Sequence, residues 1–333
     1  MKNKYFYLYT NVVPVRGFKR SIICDLERGK YDFIPNDLFD IVKKFNGKKI
    51  NSIFDKFKKD NYVVVLEYFN FLVKKEYIYL SDNKIGISNN KKIEFEHPNS
   101  LLNAIIDVNI NSNYNFNNFI KQISELNCHY LQIRFYGLVD KLKILEILNY
   151  TKSTNLRFIQ IIIKKNIFSN KKLYDLILKH PRIRSIIVFG CKVSLSKDIY
   201  ESKIHYTKDI ITSCNQCGII DSDLFSVNID NYRLSKNYNS CLYKKISIDV
   251  NGKVKNCPSM LENYGSINKI SIEKIIKTEN FKKFDKITKD QIKVCKDCEF
   301  RYICTDCRVF VEGNIHSKPL KCNYNPYKTK WEI

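Results

Sequence analysis

The chain has 333 residues, 44% of them apolar, and carries 57 Lys and Arg against 34 Asp and Glu, a net charge of +23. That is enough for two or three packed domains and too apolar for a disordered chain. No apolar run approaches the ~20 residues of a membrane span, and Met1–Arg20 lacks the continuous apolar stretch and small-residue cleavage site of a secretory signal.

A cytoplasmic location is therefore expected. Thiols stay reduced there, so clustered cysteines point to metal or redox chemistry. Only ten of the basic residues are Arg, and the chain has a single alanine, Ala104. This is the profile of an AT-rich coding sequence that fills the surface with lysine. Nucleic-acid sites favour the bidentate fork of Arg, so a nucleic-acid partner is not expected. An acidic peptide or protein suits the charge at least as well.

Residues 1–85 read as a first unit. Tyr5–Val15 has strand composition. Ser21–Leu26 and Tyr31–Ile34 flank Glu27-Arg28-Gly29-Lys30 as a hairpin. Asn36 is placed to cap a helix carrying Leu38, Ile41, Val42 and Phe45, which Asn46-Gly47 ends. A second helix is expected at about Ser52–Phe57. A third is expected at about Asn61–Lys75, with Val64, Tyr68, Phe71 and Leu72 on its apolar stripe. Tyr77–Leu80 returns as a strand. Strands, three helices and a closing strand form a winged-helix arrangement.

Residues 93–230 alternate strand and helix. Apolar runs at Ala104–Val108, Leu131–Phe135, Leu156–Ile163 and Ser185–Phe189 are separated by helical stretches near Phe116–Leu126, Lys141–Tyr150 and Lys171–His180. The repeat is about one βα unit, and continuous apolar strands fit a parallel sheet covered by helices. Four units and a less regular fifth predict a reduced, partial (β/α) barrel, so the fold class is α/β. In residues 231–333, Asn251-Gly252 sits between Tyr243–Val250 and Lys253–Lys255 as a hairpin turn. Ser271–Phe284 is predicted as one amphipathic helix. Beyond it the apolar content thins, and such a segment needs a metal to fold.

Cys24, Cys128 and Cys191 are scattered on or beside predicted core elements and read as small core hydrophobes. The other nine cysteines are Cys214, Cys217, Cys241, Cys257, Cys295, Cys298, Cys304, Cys307 and Cys322. Two Cys-x2-Cys turns five residues apart hold four thiolates within reach of one ion or cluster. Zinc and iron–sulfur clusters both accept such ligands. The cysteine count exceeds one zinc site, and only His316 lies nearby, which favours two clusters over zinc.

The order Cys241, ten residues, Gly252, four residues, Cys257, then Cys295-x2-Cys298-x5-Cys304-x2-Cys307 and Cys322 resembles the SPASM domain, the C-terminal extension of many radical-SAM peptide-modifying enzymes. The last spacing of the dense run is x2 here, where the family has x3. The resemblance implies two auxiliary [4Fe-4S] clusters, one on Cys241, Cys257 and Cys307 and one on Cys295, Cys298, Cys304 and Cys322. Cys217 or Cys214 is the candidate for the fourth ligand of the first cluster, unless an open iron serves substrate.

A radical-SAM core also needs Cys-x3-Cys-x2-Cys after its first barrel strand. Residues 109–117 contain no cysteine, and no such triplet occurs anywhere in the chain. Phe135-Tyr136-Gly137-Leu138 stands where a Gly-Gly-Glu would contact the methionyl amine. S-adenosylmethionine is therefore not expected as a cofactor, nor is standard radical chemistry. The combination resembles the SPASM-domain peptide maturase of grasp-with-spasm systems, including the opening Tyr5–Arg16 followed by Asp25–Gly29 and Ile34-Pro35. That family implies a ribosomally made precursor peptide and an ATP-grasp ligase as partners, with the N-terminal unit recognising the leader by strand addition. The alternative is a non-catalytic partner that presents the peptide to the ligase, with clusters or zinc as folding staples. No individual catalytic residue emerges from the sequence.

Overall fold

The computed structural model describes residues 1–54, 62–86 and 95–332. In chain order its elements are β1 (Tyr5–Leu8), β2 (Val12–Val15), β3 (Ser21–Asp25), β4 (Lys30–Ile34), α1 (Asn36–Phe45), α2 (Asn51–Phe54), α3 (Tyr62–Lys74) and β5 (Ile78–Ser81). These are followed by β6 (Asn103–Val108), α4 (Phe116–Glu125), β7 (Tyr130–Phe135), α5 (Lys141–Tyr150), β8 (Phe158–Lys164), α6 (Asn170–Lys179), β9 (Ile183–Phe189), β10 (Leu195–Ile199) and β11 (Ser202–Tyr206). Last come α7 (Ile229–Asn237), β12 (Lys245–Ile248), β13 (Val254–Lys255), α8 (Ile272–Ile276), α9 (Glu279–Lys282), β14 (Tyr324–Asn325) and β15 (Lys330–Trp331). Among the described residues, no helix is long and apolar enough to cross a membrane.

The chain divides into two compact units, each assembled from separated stretches. Unit one comprises Met1–Glu96, Ile220–Ser240 and Ile287–Ile333; unit two comprises His97–Ile219 and Cys241–Lys286. This differs from three consecutive domains at 1–85, 93–230 and 231–333, because the cysteine-rich tail is shared between the units.

Unit two is built on an eight-stranded sheet in the order β10-β11-β9-β8-β7-β6-β12-β13. The β6-β7-β8-β9 block is parallel throughout, and β11 and β12 extend it in the same sense at its two sides. The four predicted apolar runs are the four central strands. Ile161, Ile162 and Ile163 are consecutive and all buried, as strands covered on both faces require. Helices α4, α5 and α6 start at Asn115, Asp140 and Ser169, whose side chains accept from backbone N–H groups of the first turn. Their buried stripes join one apolar core with Ile133, Phe135 and Ile186 of the sheet. Each fully buried side chain of this size contributes about 1.5–3 kcal/mol.

The hairpin predicted at Asn251-Gly252 is β12–β13, and β12 also pairs with β6. The long helix predicted over Ser271–Phe284 is instead two short ones, α8 and α9, because the Thr278 side chain accepts from Phe281 N and opens a new helix there. Gly252 has φ +75°, and a Cβ there would stand 2.9 Å from Cβ of Tyr114. The Tyr114 ring cannot move aside, since it is buried and donates 2.7 Å to the Asp107 carbonyl. Gly252→Ala is expected to cost about 2–3 kcal/mol, read as a lower denaturant midpoint.

Unit one contains two small sheets beside the three helices. The antiparallel sheet β2-β3-β4 includes the predicted hairpin, with Gly29 at φ +67° in the turn. The stretch predicted as one strand over Tyr5–Val15 is split, and its first half, β1, pairs with β5. Asn36 does not cap α1; its amide donates to Phe18 O at 3.0 Å and its carbonyl accepts from Ser21 Oγ at 2.6 Å. The buried stripe of α3 is Val65, Phe69 and Leu72, one position away from the predicted one except at Leu72, and Val64 is exposed. Residues 55–57 and 61 of the predicted helices lie outside the described residues.

One core of unit one joins Phe6, Leu38, Ile41, Phe69 and Leu72. The other joins Val15, Ile22 and Cys24 of the β2-β3-β4 sheet to Phe300, Tyr302, Ile303 and Tyr324. The cysteine-rich run thus borrows its core from the N-terminal sheet. Glu299, 1% exposed, is fixed by Arg20 Nε at 2.8 Å and by the Tyr324 hydroxyl.

Asp285 of unit two shows the opposite economy. Its Oδ1 is buried without a hydrogen-bond partner, and burial pushes its carboxyl from 3.8 to about 6. The folded group holds its proton at higher pH than the unfolded one. Ionisation therefore costs stability above pH 6, and that cost disappears as pH falls towards 4. Asp285→Asn is expected to stabilise by about 1–2 kcal/mol at pH 8 and by nothing at pH 4, measured as urea midpoints at the two pH values.

Candidate metal centres

The predicted ligands separate cleanly between the units. Unit two holds Cys214, Cys217, Cys241 and Cys257; unit one holds Cys295, Cys298, Cys304, Cys307 and Cys322. Cys307, grouped by the resemblance with Cys241 and Cys257, therefore belongs to the other unit, where it is buried.

In unit two, Cys257 lies one residue beyond β13, after Asn256, and Cys241 precedes β12 by a short turn in which Lys244 takes φ +49°. The hairpin thus carries one thiol at each end. Cys217 closes a one-turn 3-10 helix over Cys214–Gln216, and Ser259 Oγ donates 3.0 Å to the Cys214 carbonyl, tying this turn to the segment after Cys257. Half-buried Lys245 points its ammonium at Cys241 Sγ, 3.4 Å away. Burial works against that charge, but Cys241, Cys257 and Cys217 outweigh it and raise the lysine above its ordinary range. Burial likewise pushes the Cys257 thiol up to about 12, with Cys241 adding to the rise.

In unit one, Cys295 opens a 3-10 turn whose preceding residue, Val294, takes φ +67°. A β-branched residue in that region stores strain, as functional turns often do. Cys298 N donates to Cys295 O at 3.0 Å, and Cys304 N to Phe300 O at 3.1 Å. Cys322 is brought in by a bridge to Ile220. Burial raises Cys295 to about 12 and drives Cys298 well above its usual value. Each of Cys295, Cys298 and Cys304 feels at least one other thiol of the set, and Cys322 acts on Cys295 and Cys304.

Beside these thiols lies Lys289, 3% exposed, which donates 3.0 Å to Thr305 O and whose strongest charge interaction is with Cys304. Burial opposes its charge, and Cys304, Asp306 and Cys295 more than restore it. Among the described residues, no group of three or more His, Cys, Asp or Glu is gathered closely enough to hold a metal ion.

The two lysines share an arrangement that no spacing motif announced. Neither ammonium has a carboxylate at ion-pair distance among the described residues. The nearby acids are committed elsewhere: Asp249 to Lys255 at 2.8 Å and Asp306 to Arg308 at 2.8 Å. A buried cation without a counter-charge is costly, so each site is built to receive negative charge on sulfur. That donor set, all sulfur with one cation per nest, fits a thiolate-bound iron–sulfur cluster.

A third constellation stands at the carboxyl ends of the central strands in unit two. Arg134 Nε and Nη2 clasp Asp107 at 2.6 and 2.9 Å, and the Tyr136 hydroxyl donates to the same carboxylate at 3.1 Å. All three residues are buried. The sequence signal was an Asp and an Arg interrupting two apolar runs, at the strand ends where α/β sheets place their chemistry. Cys24 and Cys128 are fully buried, as expected of core thiols, while Cys191 is half-buried with its thiol 3.4 Å from Val188 O.

Comparison with known proteins places part of this arrangement. No curated protein matches the sequence. Among solved structures, Streptococcus suis SuiB bound to S-adenosylmethionine is 12% identical, covering 91% of this chain and 96% of that one, with a TM-score of 0.28. Streptococcus suis SuiB bound to precursor peptide SuiA is 11% identical with the same coverages and TM-score. Residues 240–299 match the SPASM family, an iron-sulfur cluster-binding domain, and this stretch includes Cys241, Gly252, Cys257, Cys295 and Cys298.

Proposed function

We propose that this chain is an iron–sulfur protein that acts on a ribosomally synthesised precursor peptide, a SPASM-domain peptide maturase of the grasp-with-spasm kind. One [4Fe-4S] cluster would be held by Cys295, Cys298, Cys304 and Cys322. The other would be held by Cys217, Cys241 and Cys257, with Cys214 as the fourth thiol of that unit. The observation that carries this reading is the pair of sulfur nests, each enclosing an ammonium that has no carboxylate partner. Bound there, such clusters supply one-electron transfer. The chain's own part is to fix the sulfurs on short turns, with Cys257, Cys295 and Cys304 buried and Cys217 exposed.

The N-terminal unit, read as a winged helix, would recognise the leader peptide through the edge of the β3–β4 hairpin, and an ATP-grasp ligase would share the peptide in the cytoplasm. The missing Cys-x3-Cys-x2-Cys argues against radical-SAM chemistry. The buried Asp107–Arg134–Tyr136 constellation favours a second reading, a non-catalytic presenter of the peptide, because the strand ends that would carry catalytic groups are closed by the protein's own ion pair.

The test is iron, zinc and acid-labile sulfide per chain after anaerobic purification, with electron paramagnetic resonance of the reduced protein. About eight iron and eight sulfide are expected. Zinc without sulfide would sink the cluster assignment. A cluster spectrum perturbed by added precursor peptide separates the maturase from the presenter.

A further inference from the structure

We infer that Lys245 and Lys289 are dedicated electrostatic partners of the two clusters, one lysine to each, setting cluster potential and retention without supplying a ligand. The inference rests on the cluster reading above. The argument begins with desolvation. An ammonium removed from water needs a compensating anion or it destabilises the fold. Lys289 is 3% exposed and donates 3.0 Å to the carbonyl of Thr305, the residue that follows Cys304. Lys245 reaches Cys241 Sγ at 3.4 Å, with Cys257 and Cys217 next in influence.

Asp306 is paired with Arg308, Glu299 with Arg20, Asp249 with Lys255 and Asp107 with Arg134, while the buried Asp285 faces Lys244, Lys282 and Lys286. Each lysine therefore lacks an ion-pair carboxylate of its own and lies beside cysteine thiols, with Asp306 acting on Lys289 from beyond ion-pair distance. A cluster bound by cysteine thiolates is an anion, and reduction makes it more so. A fixed cation hydrogen-bonded to a coordinating sulfur stabilises the bound state over the empty one, and the reduced state over the oxidised one. Lys245 lies against Cys241 and Lys289 is influenced by Cys304 and Cys295, so each lysine is assigned to the thiols of its own unit.

The experiment uses the full chain, purified anaerobically, as wild type, Lys245→Met, Lys289→Met, Lys245→Arg and Lys289→Arg. Redox titrations followed by electron paramagnetic resonance give the cluster potentials, and iron and sulfide give occupancy. Each Met variant is expected to disfavour reduction of one cluster about tenfold, close to 59 mV for one electron, leaving the other cluster unmoved. The Arg variants are expected to recover most of that change.

The melting temperature of the metal-free protein supplies a readout that a merely structural lysine would move the other way. With the buried charge removed, Lys289→Met should melt no lower than wild type when metal-free, even as it holds its cluster less well. Full occupancy with both potentials unchanged in the Met variants would overturn the inference while leaving the clusters standing. So would a metal-free Lys289→Met that melts well below wild type. A wild-type chain without iron or sulfide would overturn the cluster reading itself.

Discussion

On the proposed cluster reading, replacing Cys295 and Cys298 together by serine is expected to remove one cluster and leave the other, with iron falling from about eight to about four per chain. The two thiols belong to one short turn of unit one, where Cys298 N is hydrogen-bonded to Cys295 O. Losing two of four ligands leaves no cluster of that type bound. Cys241 and Cys257 belong to unit two and keep their own surroundings. The run around the lost site still has apolar anchors in Phe300, Tyr302 and Ile303, so far-ultraviolet circular dichroism should change little. Cys24→Ala serves as the control: that thiol is fully buried in core contacts, and its loss should leave iron at the wild-type level. Unchanged iron in the double variant would remove Cys295 and Cys298 from the ligand set.

Asp107→Ala is the second large effect, and it acts on stability. The carboxylate accepts from two nitrogens of Arg134 and from Tyr136, and the side chains of the ion pair are 2% and 5% exposed. Truncating one partner of a buried pair leaves the other charge stranded, at about 3–5 kcal/mol. The double replacement Asp107→Leu with Arg134→Met should recover much of that loss, because an apolar pair of similar volume carries no desolvation penalty. Chemical denaturation of the three proteins measures both numbers. A single variant that loses under about 1 kcal/mol would mean that water reaches the pair.

The elements most legible in the chain were those whose signal is local. The four parallel strands of unit two are runs of Ile, Val, Leu and Phe, buried on both faces, with helices between them that begin at Asn, Asp or Ser. The β3–β4 and β12–β13 hairpins follow from glycines that adopt positive φ. The SPASM match over residues 240–299 was legible in the spacing of the cysteines, and Gly252 marked the hairpin between Cys241 and Cys257. Helix ends were less so. Thr278, invisible inside an amphipathic pattern, starts a second helix, while Asn36, placed like a cap, spends its side chain on Phe18 and Ser21.

By itself the sequence determined that the chain is α/β, that its middle is a parallel sheet, and that nine of its cysteines gather in the stretch from Cys214 to Cys322. Only the tertiary structure decided how the cysteine-bearing stretches are divided between the two units. Ile220–Ser240 and Ile287–Ile333 join the N-terminal stretch in one unit, while Cys241–Lys286 joins the central sheet in the other. The reason is burial. The cysteine-rich run has too few apolar residues for a core of its own, so Phe300, Tyr302, Ile303 and Tyr324 pack on Val15 and Ile22 nearly 300 residues away, and β12 finds its neighbour in β6. Long-range pairings of this kind leave no local pattern. The same holds for Lys245 and Lys289: among 57 basic residues, only the folded chain distinguishes the two whose counter-charge is sulfur.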